Sequence, residues 1–505
     1  MEEIEVNRRK KFIYNSFSSI IKQFVGLLST LILPRLMLVT YGSDVNGLVS
    51  SIGQFLSLIS IFDAGMGVVI EASLYKPLSQ KDSNSISKVL ASGKKFYNKL
   101  VVLLFFYVFA ISVLYPSFAK ENFSFLFCFT LVWAISVNSF GQYYFGVLNG
   151  VLLSADQKGY IFNWIYTFAT IANTVASIVL IEIGASIHIV KFVSSLVFLM
   201  RPLLLALYVK KNYKINWNEK YSTEPIKQKW NGFAQHIATI VVGNTDIVVL
   251  TIFATLKDVS IYSIYMLVVN GLKELINSSM GGVKSLFGDM LAKKEYDKLQ
   301  KFFKVVELTI HCFVMFIYTV AAILIVPFVR VYTKGINDAN YINIIFGLLI
   351  CLAYAVYCLR FPYNTLIMSA GHFKETQNSA IIEAVINIVV SILLVWKFGL
   401  IGVAAGTLVA MLYRLFYLFI YSNKKILHIN NFLSIKLLIF DLAFFVISIL
   451  VMKKTSLIIC RSYIEWMLLS IKSVVLVCPI MIILLLLFFR QELRLLYYYK
   501  KGKLG

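Results

Sequence analysis

Long apolar stretches alternate with short polar intervals along almost the whole chain. Each stretch has the roughly 20 mostly apolar residues that an α-helix needs to cross a bilayer. The pattern predicts an all-α, polytopic membrane protein with about fourteen spans, at approximately 12–39, 45–70, 97–116, 123–153, 161–181, 187–208, 231–256, 260–288, 302–329, 342–369, 377–396, 400–421, 433–452 and 464–489.

Composition and charge agree with this prediction. Of the 505 residues, 59% are hydrophobic and 14% charged, and the mean hydropathy is +0.79, whereas a soluble domain has about 25% charged residues. The net charge of +23 is typical of a nucleic-acid binder, but most of the 48 Lys and Arg residues lie at the two ends and in alternate loops. Cytoplasmic segments of membrane proteins have this excess. We therefore predict cytoplasmic termini and no nucleic-acid partner.

The sequence shows no motif for a cleavable signal peptide, a metal site or a cofactor. The first apolar stretch follows the basic residues 8–11, is too long for a signal peptide and lacks a small-residue cleavage site, so we expect it to remain in the mature protein. The six cysteines lie in or beside apolar stretches without a Cys-x-x-Cys pair, and are predicted to be buried apolar side chains. The five histidines show no metal-ligand spacing. No metal or cofactor is predicted.

The sequence repeats itself at a spacing of about 214 residues. Asn173 and Ser177 in the fifth predicted helix correspond to Asn387 and Ser391 in the eleventh. Further matches occur in the same order along the chain: Asp44 with Asp258, Ser154 with Ser369, and Arg201 with Arg414. Any one of these matches alone could arise by chance. Their shared order along the chain indicates a duplicated unit.

The repeat predicts the domain organisation. A six-helix bundle is expected at 1–215 and a second at 216–425, while 426–505 holds helices 13 and 14 and a basic cytoplasmic tail. Because six is even, both copies enter the membrane from the same side, as in transporters with parallel repeats. Two such bundles around a cleft suit alternating access. Duplication without transport is the alternative.

Polar residues form a stripe on the first predicted helix. Asn15, Lys22 and several serines recur at helical spacing and share one face. A charge at the bilayer centre costs at least about 2.5 kcal/mol, so Lys22 is predicted to face a cavity, with a structural ion pair as the alternative. Lys273 and Asn277 repeat the pattern in the eighth helix. We predict a cleft lined mainly by helices 1, 2, 7 and 8, in which these residues bind the substrate.

Ionisable residues also occur inside other predicted helices. Arg360 precedes Pro362, which loosens a helix, and is predicted to line the cavity and bind substrate. The predicted coupling or cavity residues are Asp63, Asp246, Glu383, Asn173 and Asn387. For the two aspartates, a hydrogen bond between packed helices is the alternative.

Several other charged residues suit a structural role as well as a functional one. Glu307 and His311, spaced i,i+4, suit either a proton relay or a structural hydrogen bond. Lys273 and Glu274 are adjacent and diverge on a helix, so a pair between them is not expected. Arg201 and Arg414 are expected to extend their charges to the membrane surface from the helix ends. The basic loop 71–99 is predicted to form a short interfacial helix or a solvated loop.

Two segments resemble a known family. Residues 243–249 (GNTDIVV) and 257–265 (KDVSIYSIY) look like the seventh-to-eighth helix signature of bacterial polysaccharide (O-antigen or capsule, Wzx-type) flippases. These belong to the multidrug/oligosaccharidyl-lipid/polysaccharide exporter superfamily. Residues 152–160 (LLSADQKGY) and the Tyr41-Gly42 pair are similar to further family features. The resemblance covers nearly the whole chain.

The resemblance implies a function. Such proteins move an undecaprenyl-diphosphate-linked oligosaccharide to the outer leaflet of the bacterial inner membrane, for surface polysaccharide synthesis. It also implies contact with membrane lipids, possible association with a polysaccharide polymerase, and possible coupling to H⁺ or Na⁺. Lipid II flippases carry several arginines where this chain has Lys22, Lys273 and Lys284, which weakens that assignment.

Two other functions remain open at the level of sequence. A cation-coupled drug or toxin antiporter would share the fold and centre on acidic residues such as Asp63, Asp246 and Glu383. A membrane enzyme, such as a polymerase or glycosyltransferase, normally needs a sizeable outer loop for its catalytic groups. The longest predicted outer loops, near 330–341 and 452–463, are short. A transporter rather than an enzyme is therefore predicted.

Overall fold

Helices account for nearly all of the structure. It is a computed structural model, and it describes residues 2–63, 65–119, 123–226, 233–454, 460–490 and 492. In these ranges there is no strand, and thirteen helical segments are long and apolar enough to cross a membrane. The first, Ile13–Asp63, has 51 residues and breaks at Gly42 (φ 82°, ψ 175°). Because two spans need roughly 40 residues, this segment is long enough to cross twice. The all-α, multi-pass prediction is confirmed.

The chain divides into two compact units, Met1–Ile240 and Val241–Gly505. The predicted basic tail beyond residue 492 lies outside the described residues. The helices that begin in the first unit are α1 Glu2–Ser57, α2 Ser60–Asp63, α3 Met66–Ser79, α4 Ser83–Leu114, α5 Phe125–Gly141, α6 Val147–Ala155, α7 Gly159–Glu182, α8 Ile187–Asn212 and α9 Phe233–Phe253. The second unit adds α10 Leu256–Ala292, α11 Tyr296–Tyr332, α12 Ile344–Leu359, α13 Phe361–Ser369, α14 Phe373–Phe398, α15 Leu400–Tyr421, α16 Phe432–Lys454 and α17 Tyr463–Phe488.

In the first unit, α7 packs against both α1 and α8, and α8 also packs against α5. A π-helical turn, Gln142–Gly146, joins α5 to α6. Apolar side chains of α3, α4 and α6 form a buried core, whose fully buried members include Ile70, Leu74, Leu90 and Leu152. The contact of α7 with α1 and α8 places the polar residues of these three helices side by side.

The segment 71–99, predicted to be an inner loop, is helical except at residues 80–82. Helix α3 continues to Ser79, and α4 begins at Ser83, where the Asp82 carboxylate accepts hydrogen bonds from the backbone N–H groups of residues 84 and 85 at 3.1 Å. The 32-residue α4 is about 48 Å long, well beyond the roughly 30 Å of a hydrocarbon core. Its basic first turns therefore have room to extend beyond the apolar layer.

In the second unit, α14 and α15 make an especially close contact. A Cβ atom added at Gly406 of α15 would lie 2.7 Å from the Ser391 backbone nitrogen and 2.9 Å from its Cα. Gly402, one turn earlier, faces the Leu394 backbone in the same way. Glycines four residues apart let two helix backbones approach closely. This approach brings the buried polar residues of α14 and α15 within hydrogen-bonding distance.

The boundaries of the helices recur along the chain. Helix α6 begins at Val147 and α13 at Phe361, and both helices are 9 residues long. Helices α7 and α14 begin at Gly159 and Phe373. Both starting points are 214 residues apart, the spacing found in the sequence. Each of α6 and α13 also follows an interruption of the preceding helix, by a π-helical turn in one case and by Arg360 in the other.

The structure leaves most cysteines inside the protein. Cys128, Cys351, Cys358 and Cys460 are buried, while Cys312 and Cys478 are partly exposed. The expectation of buried apolar side chains is thus confirmed for four of the six.

Labelling of two exposed positions tests the predicted topology. Ser83 begins α4, and Asn337 lies between α11 and α12; both residues are exposed. We expect a membrane-impermeant maleimide to label Asn337→Cys in intact cells and to label Ser83→Cys only after permeabilisation, because the basic segments are predicted to be cytoplasmic. The unsubstituted protein measures background labelling of the native cysteines. Labelling of Ser83→Cys from outside would refute the topology.

Candidate functional site

A cationic cluster lies on α1, α7 and α8 of the first unit. The Lys22 Nζ atom is 5.6 Å from the ring centres of both Phe162 and Tyr166. On the same tyrosine, the central guanidinium carbon of Arg201 is 3.8 Å from the ring centre, and it is equally close to the Phe198 ring. Both distances are within the range of cation–π interactions. The side chains of Lys22 and Arg201 therefore both contact the ring of Tyr166. We call these three residues the first cation cluster.

Helical spacing explains this arrangement. Phe162 and Tyr166 are four residues apart on α7 and share one face, which α1 and α8 both contact. One turn further along α7, the Thr170 hydroxyl accepts a hydrogen bond from Arg201 Nη2 at 3.2 Å. The Arg201 Nε atom is buried without a partner. Arg201 is thus held between helices, and the expectation that it extends to the membrane surface is wrong.

The first cation cluster has no acidic partner among the described side chains. Lys22 contacts aromatic rings, and the hydrogen bond of Arg201 goes to an uncharged hydroxyl. Neither residue forms an ion pair in the described part of the chain, so the predicted alternative of a structural ion pair for Lys22 does not occur there. Two positive charges in membrane-spanning helices remain available for an anion.

The second unit has a comparable pair of cations on a tyrosine. The central guanidinium carbon of Arg360 lies 3.8 Å from the Tyr357 ring centre, and Lys273 Nζ lies 5.8 Å from it. Lys273 Nζ is also 3.6 Å from Glu274 Oε1. That pair was not expected, but the Glu274 side chain is 63% exposed, and exposed ion pairs contribute little to stability.

Arg360 also belongs to a buried ion-pair network. Its Nη1 atom is 2.5 Å from Glu383 Oε1, and the second oxygen of this carboxylate is 3.5 Å from Arg414 Nε. Arg414 Nη1 donates to the carbonyl oxygen of Thr376 at 3.0 Å and to the hydroxyl of Ser379. The expectation that Arg414 extends to the surface is wrong, because its side chain is only 4% exposed.

Counting the charges of this network shows its chemical character. Two guanidinium groups, Arg360 and Arg414, share the single carboxylate of Glu383, so the three side chains carry a net charge of +1. We call Lys273, Tyr357, Arg360, Glu383 and Arg414 the second cation cluster. Arg360 is therefore a partly compensated cation, and the network as a whole is positive.

Asp246 forms a different kind of site in the second unit. It is 4% exposed, and both carboxylate oxygens lie within 2.8 Å of the Thr407 hydroxyl. The Tyr262 hydroxyl donates to Asp246 at 2.8 Å and the Asn387 amide at 3.4 Å. No Lys or Arg among the described residues pairs with this carboxylate. The Asn387 Oδ1 atom is buried without a hydrogen-bond partner, and the donors to the carboxylate are uncharged hydroxyl and amide groups.

The remaining predicted residues lie apart from these groups. Asp63 accepts a hydrogen bond from the Tyr97 hydroxyl at 2.7 Å, and Asn15 donates to the Gln157 carbonyl at 3.0 Å. Asn173 is buried, and its Oδ1 atom has no partner. Asn277 is exposed and contacts neither cation cluster. Asn15 and Asn277 thus share a helix with a clustered lysine without sharing its contacts.

Sequence reasoning missed the tyrosines and two of the arginines. Tyr166 and Tyr357 look like ordinary residues of apolar helices, although Tyr357 precedes Arg360 by one helical turn. A signal for the arginines was present, because Arg201 and Arg414 match each other in the repeat. Each of them contacts the helix before its own, Arg201 through Thr170 and Arg414 through Glu383.

Comparison with known structures identifies the fold. The lipid II flippase MurJ, in an inward closed conformation, matches with a TM-score of 0.68 and 15% identity, over 95% of this chain and 99% of that chain. An inward-facing MATE multidrug-resistance transporter of the MOP superfamily matches with a TM-score of 0.59 and 14% identity, over 82% and 98%. The chain has the fold of MOP-superfamily transporters. A further transporter with this fold, from Pyrococcus furiosus, matches with a TM-score of 0.54 and 14% identity, over 82% and 95%.

No family model matches the sequence, and no curated protein is significantly similar to it. The TM-scores of 0.59–0.68 establish the shared architecture, and at identities of 14–15% the similarity extends to the fold alone.

Proposed function

We propose that this MOP-fold protein is a flippase for an undecaprenyl-diphosphate-linked oligosaccharide, which it moves from the cytoplasmic to the outer leaflet of the bacterial inner membrane for surface polysaccharide synthesis. The observation that carries the proposal is the charge of the two cation clusters. The first has two cations and no acidic partner among the described side chains. In the second, Arg360 and Arg414 share the single carboxylate of Glu383.

The diphosphate is the anionic part of the proposed substrate. An ion without a partner is costly in a low-dielectric layer, so an anionic headgroup needs fixed cations along its path. Guanidinium groups form bidentate contacts with phosphate oxygens, whereas lysine acts as a point charge. Each cluster supplies both types, with Lys22 and Arg201 in one and Lys273 and Arg360 in the other. A cationic drug would be repelled by both clusters.

The fold also supports alternating access. The similar structures include inward- and outward-facing conformations of MATE transporters. Asp246, with Asn387 and Thr407, is proposed to bind the coupling ion, H⁺ or Na⁺, because its buried carboxylate lacks a cationic partner among the described residues. The same carboxylate favours the second candidate function, a cation-coupled drug or toxin antiporter.

Transport by the purified protein separates the two functions. We expect proteoliposomes containing the wild-type chain to move a fluorescent undecaprenyl-diphosphate oligosaccharide across the bilayer, as measured by dithionite quenching, and to leave efflux of the cationic dye ethidium at the level of empty liposomes. Lys273→Ala should slow lipid movement. Its matched control is Lys284→Ala, which removes an exposed lysine of the same helix.

Ethidium efflux without lipid movement would overturn the flippase proposal in favour of the antiporter. A surface-polysaccharide polymerase is the proposed partner in the cell. It would receive the oligosaccharide after transport, because the flippase itself forms and breaks no covalent bond.

A further inference from the structure

A second buried polar network joins α16 to the rest of the second unit. On α11, Glu307 Oε1 accepts hydrogen bonds from the Tyr363 hydroxyl at 2.6 Å and the Ser434 hydroxyl at 2.5 Å. One turn further along α11, His311 Nδ1 lies 2.7 Å from Asp441 Oδ2. Helix α16 is thus linked to α11 twice, through Ser434 and through Asp441. None of these groups belongs to the two cation clusters or contacts Asp246.

The network is continuous and buried. Glu307 and His311 do not bond directly; the Tyr363 hydroxyl lies between them, 3.4 Å from His311 Nε2. At the other end, the amide of Asn423 donates to the Ser434 hydroxyl at 3.0 Å. Every member is between 0 and 4% exposed. A hydrogen-bonded series of this kind connects Asn423, just before α16, with Asp441, about 10 Å further along the helix than Ser434.

Charge counting shows that the network needs a proton. Glu307 and Asp441 bring two negative charges when ionised, and His311 brings at most one positive charge. The other titratable groups that act on the network are Lys304 and Cys312, both on α11, and neither forms an ion pair with it among the described residues. A buried charge without a partner costs several kcal/mol. One bound proton removes that charge, and it belongs to the group of residues as a whole.

The hydrogen-bond geometry provides a second, independent indication. Glu307 Oε2 and Asp441 Oδ1 are both buried without any hydrogen-bond partner. Burial of an ionised carboxylate oxygen without a hydrogen-bond donor costs the full desolvation free energy of that group. A proton on such an oxygen cancels that charge.

We propose that the Glu307–His311–Asp441 network is a proton-binding site, which holds one exchangeable proton at neutral pH and receives it from the Ser434 end of α16. The proton passes from water to a carboxylate oxygen, and no other bond forms or breaks. The entry end lies in the first turn of α16, on the side predicted to be cytoplasmic. The site belongs to α11, α13 and α16, whatever substrate the protein carries.

Infrared spectroscopy of the full-length purified protein tests this proposal. A protonated carboxyl group has a C=O stretching band that an ionised carboxylate lacks. In detergent at neutral pH, we expect the wild type to show a band that Glu307→Gln or Asp441→Asn removes, with an intensity of about one carboxyl group per chain. Asp289→Asn, which alters an exposed carboxylate, should leave the band intact.

A conservative variant serves as a control for misfolding. Tyr363→Phe retains the aromatic ring and both carboxyl groups, and removes only the hydroxyl between Glu307 and His311. It should shift the frequency of the band while the protein still elutes as a single species in size-exclusion chromatography. Spectra of Glu307→Gln and Asp441→Asn that both match the wild type would overturn the proposal.

Discussion

Replacement of Lys22 and Arg201 together by glutamine is expected to abolish export of surface polysaccharide. These two cations lie on the same tyrosine without a carboxylate partner among the described residues, so their charge is available to the diphosphate. A hydrogen bond to a charged group contributes about 1.5–3 kcal/mol. Loss of two such contacts raises the transport barrier by about 3–6 kcal/mol, which corresponds to a rate reduction of roughly 10²- to 10⁴-fold. Export is measured in cells that depend on this chain as their only flippase.

The matched control removes the same number of charges elsewhere on α8. Lys210→Gln with Lys211→Gln alters two exposed lysines in the last turn of the helix and should leave export near the wild-type level. Lys22→Arg should retain more function than Lys22→Ala, because it preserves the charge. Normal export by the Lys22/Arg201 double variant, at native protein abundance, would show that these residues are structural and would favour the antiporter.

The apolar pattern predicted the helices well because the bilayer imposes a minimum length on each span. It failed at 71–99, where frequent lysines indicated a loop. Basic residues also occur where a helix extends beyond the hydrocarbon layer, and the 32-residue α4 is long enough to do so at its Ser83 end. Local sequence does not distinguish these two cases, since in both the lysines are solvated.

The site was predictable in part. The cost of a buried charge identified Lys22, Lys273 and Arg360 from sequence alone, but it gives no information about their partners. Arg414 was expected at the surface because it lies near a helix end, whereas Glu383 on the adjacent α14 holds it inside.

Contacts between distant helices are still less accessible to sequence reasoning. The bond between His311 and Asp441 joins residues 130 positions apart. It depends on which helix packs against α11, and the hydrophobic pattern of one helix does not specify its neighbours.

Arg360→Gln is expected to reduce both the stability of the protein and its transport activity. The substitution leaves Glu383 with Arg414 as its remaining cation, 3.5 Å away, and reduces the net charge of the three-residue network from +1 to 0. Removing one partner of a buried ion pair costs about 3–5 kcal/mol. The thermal melting temperature of the purified protein and the rate of lipid movement in proteoliposomes should therefore both fall.

A second substitution separates the two effects. Glu383→Gln added to Arg360→Gln removes the carboxylate that still pairs with Arg414 and restores the net charge of +1. The double variant should therefore melt at a temperature no higher than that of Arg360→Gln, because a buried cation loses its partner, and should regain part of its transport. Lys293→Gln breaks an exposed pair with Asp289 and should change stability by less than about 1 kcal/mol. A double variant more stable than Arg360→Gln would show that the contact between Glu383 and Arg414 does not stabilise the network. A double variant that regains the net charge of +1 but no transport would instead assign the guanidinium of Arg360 a direct role in substrate binding.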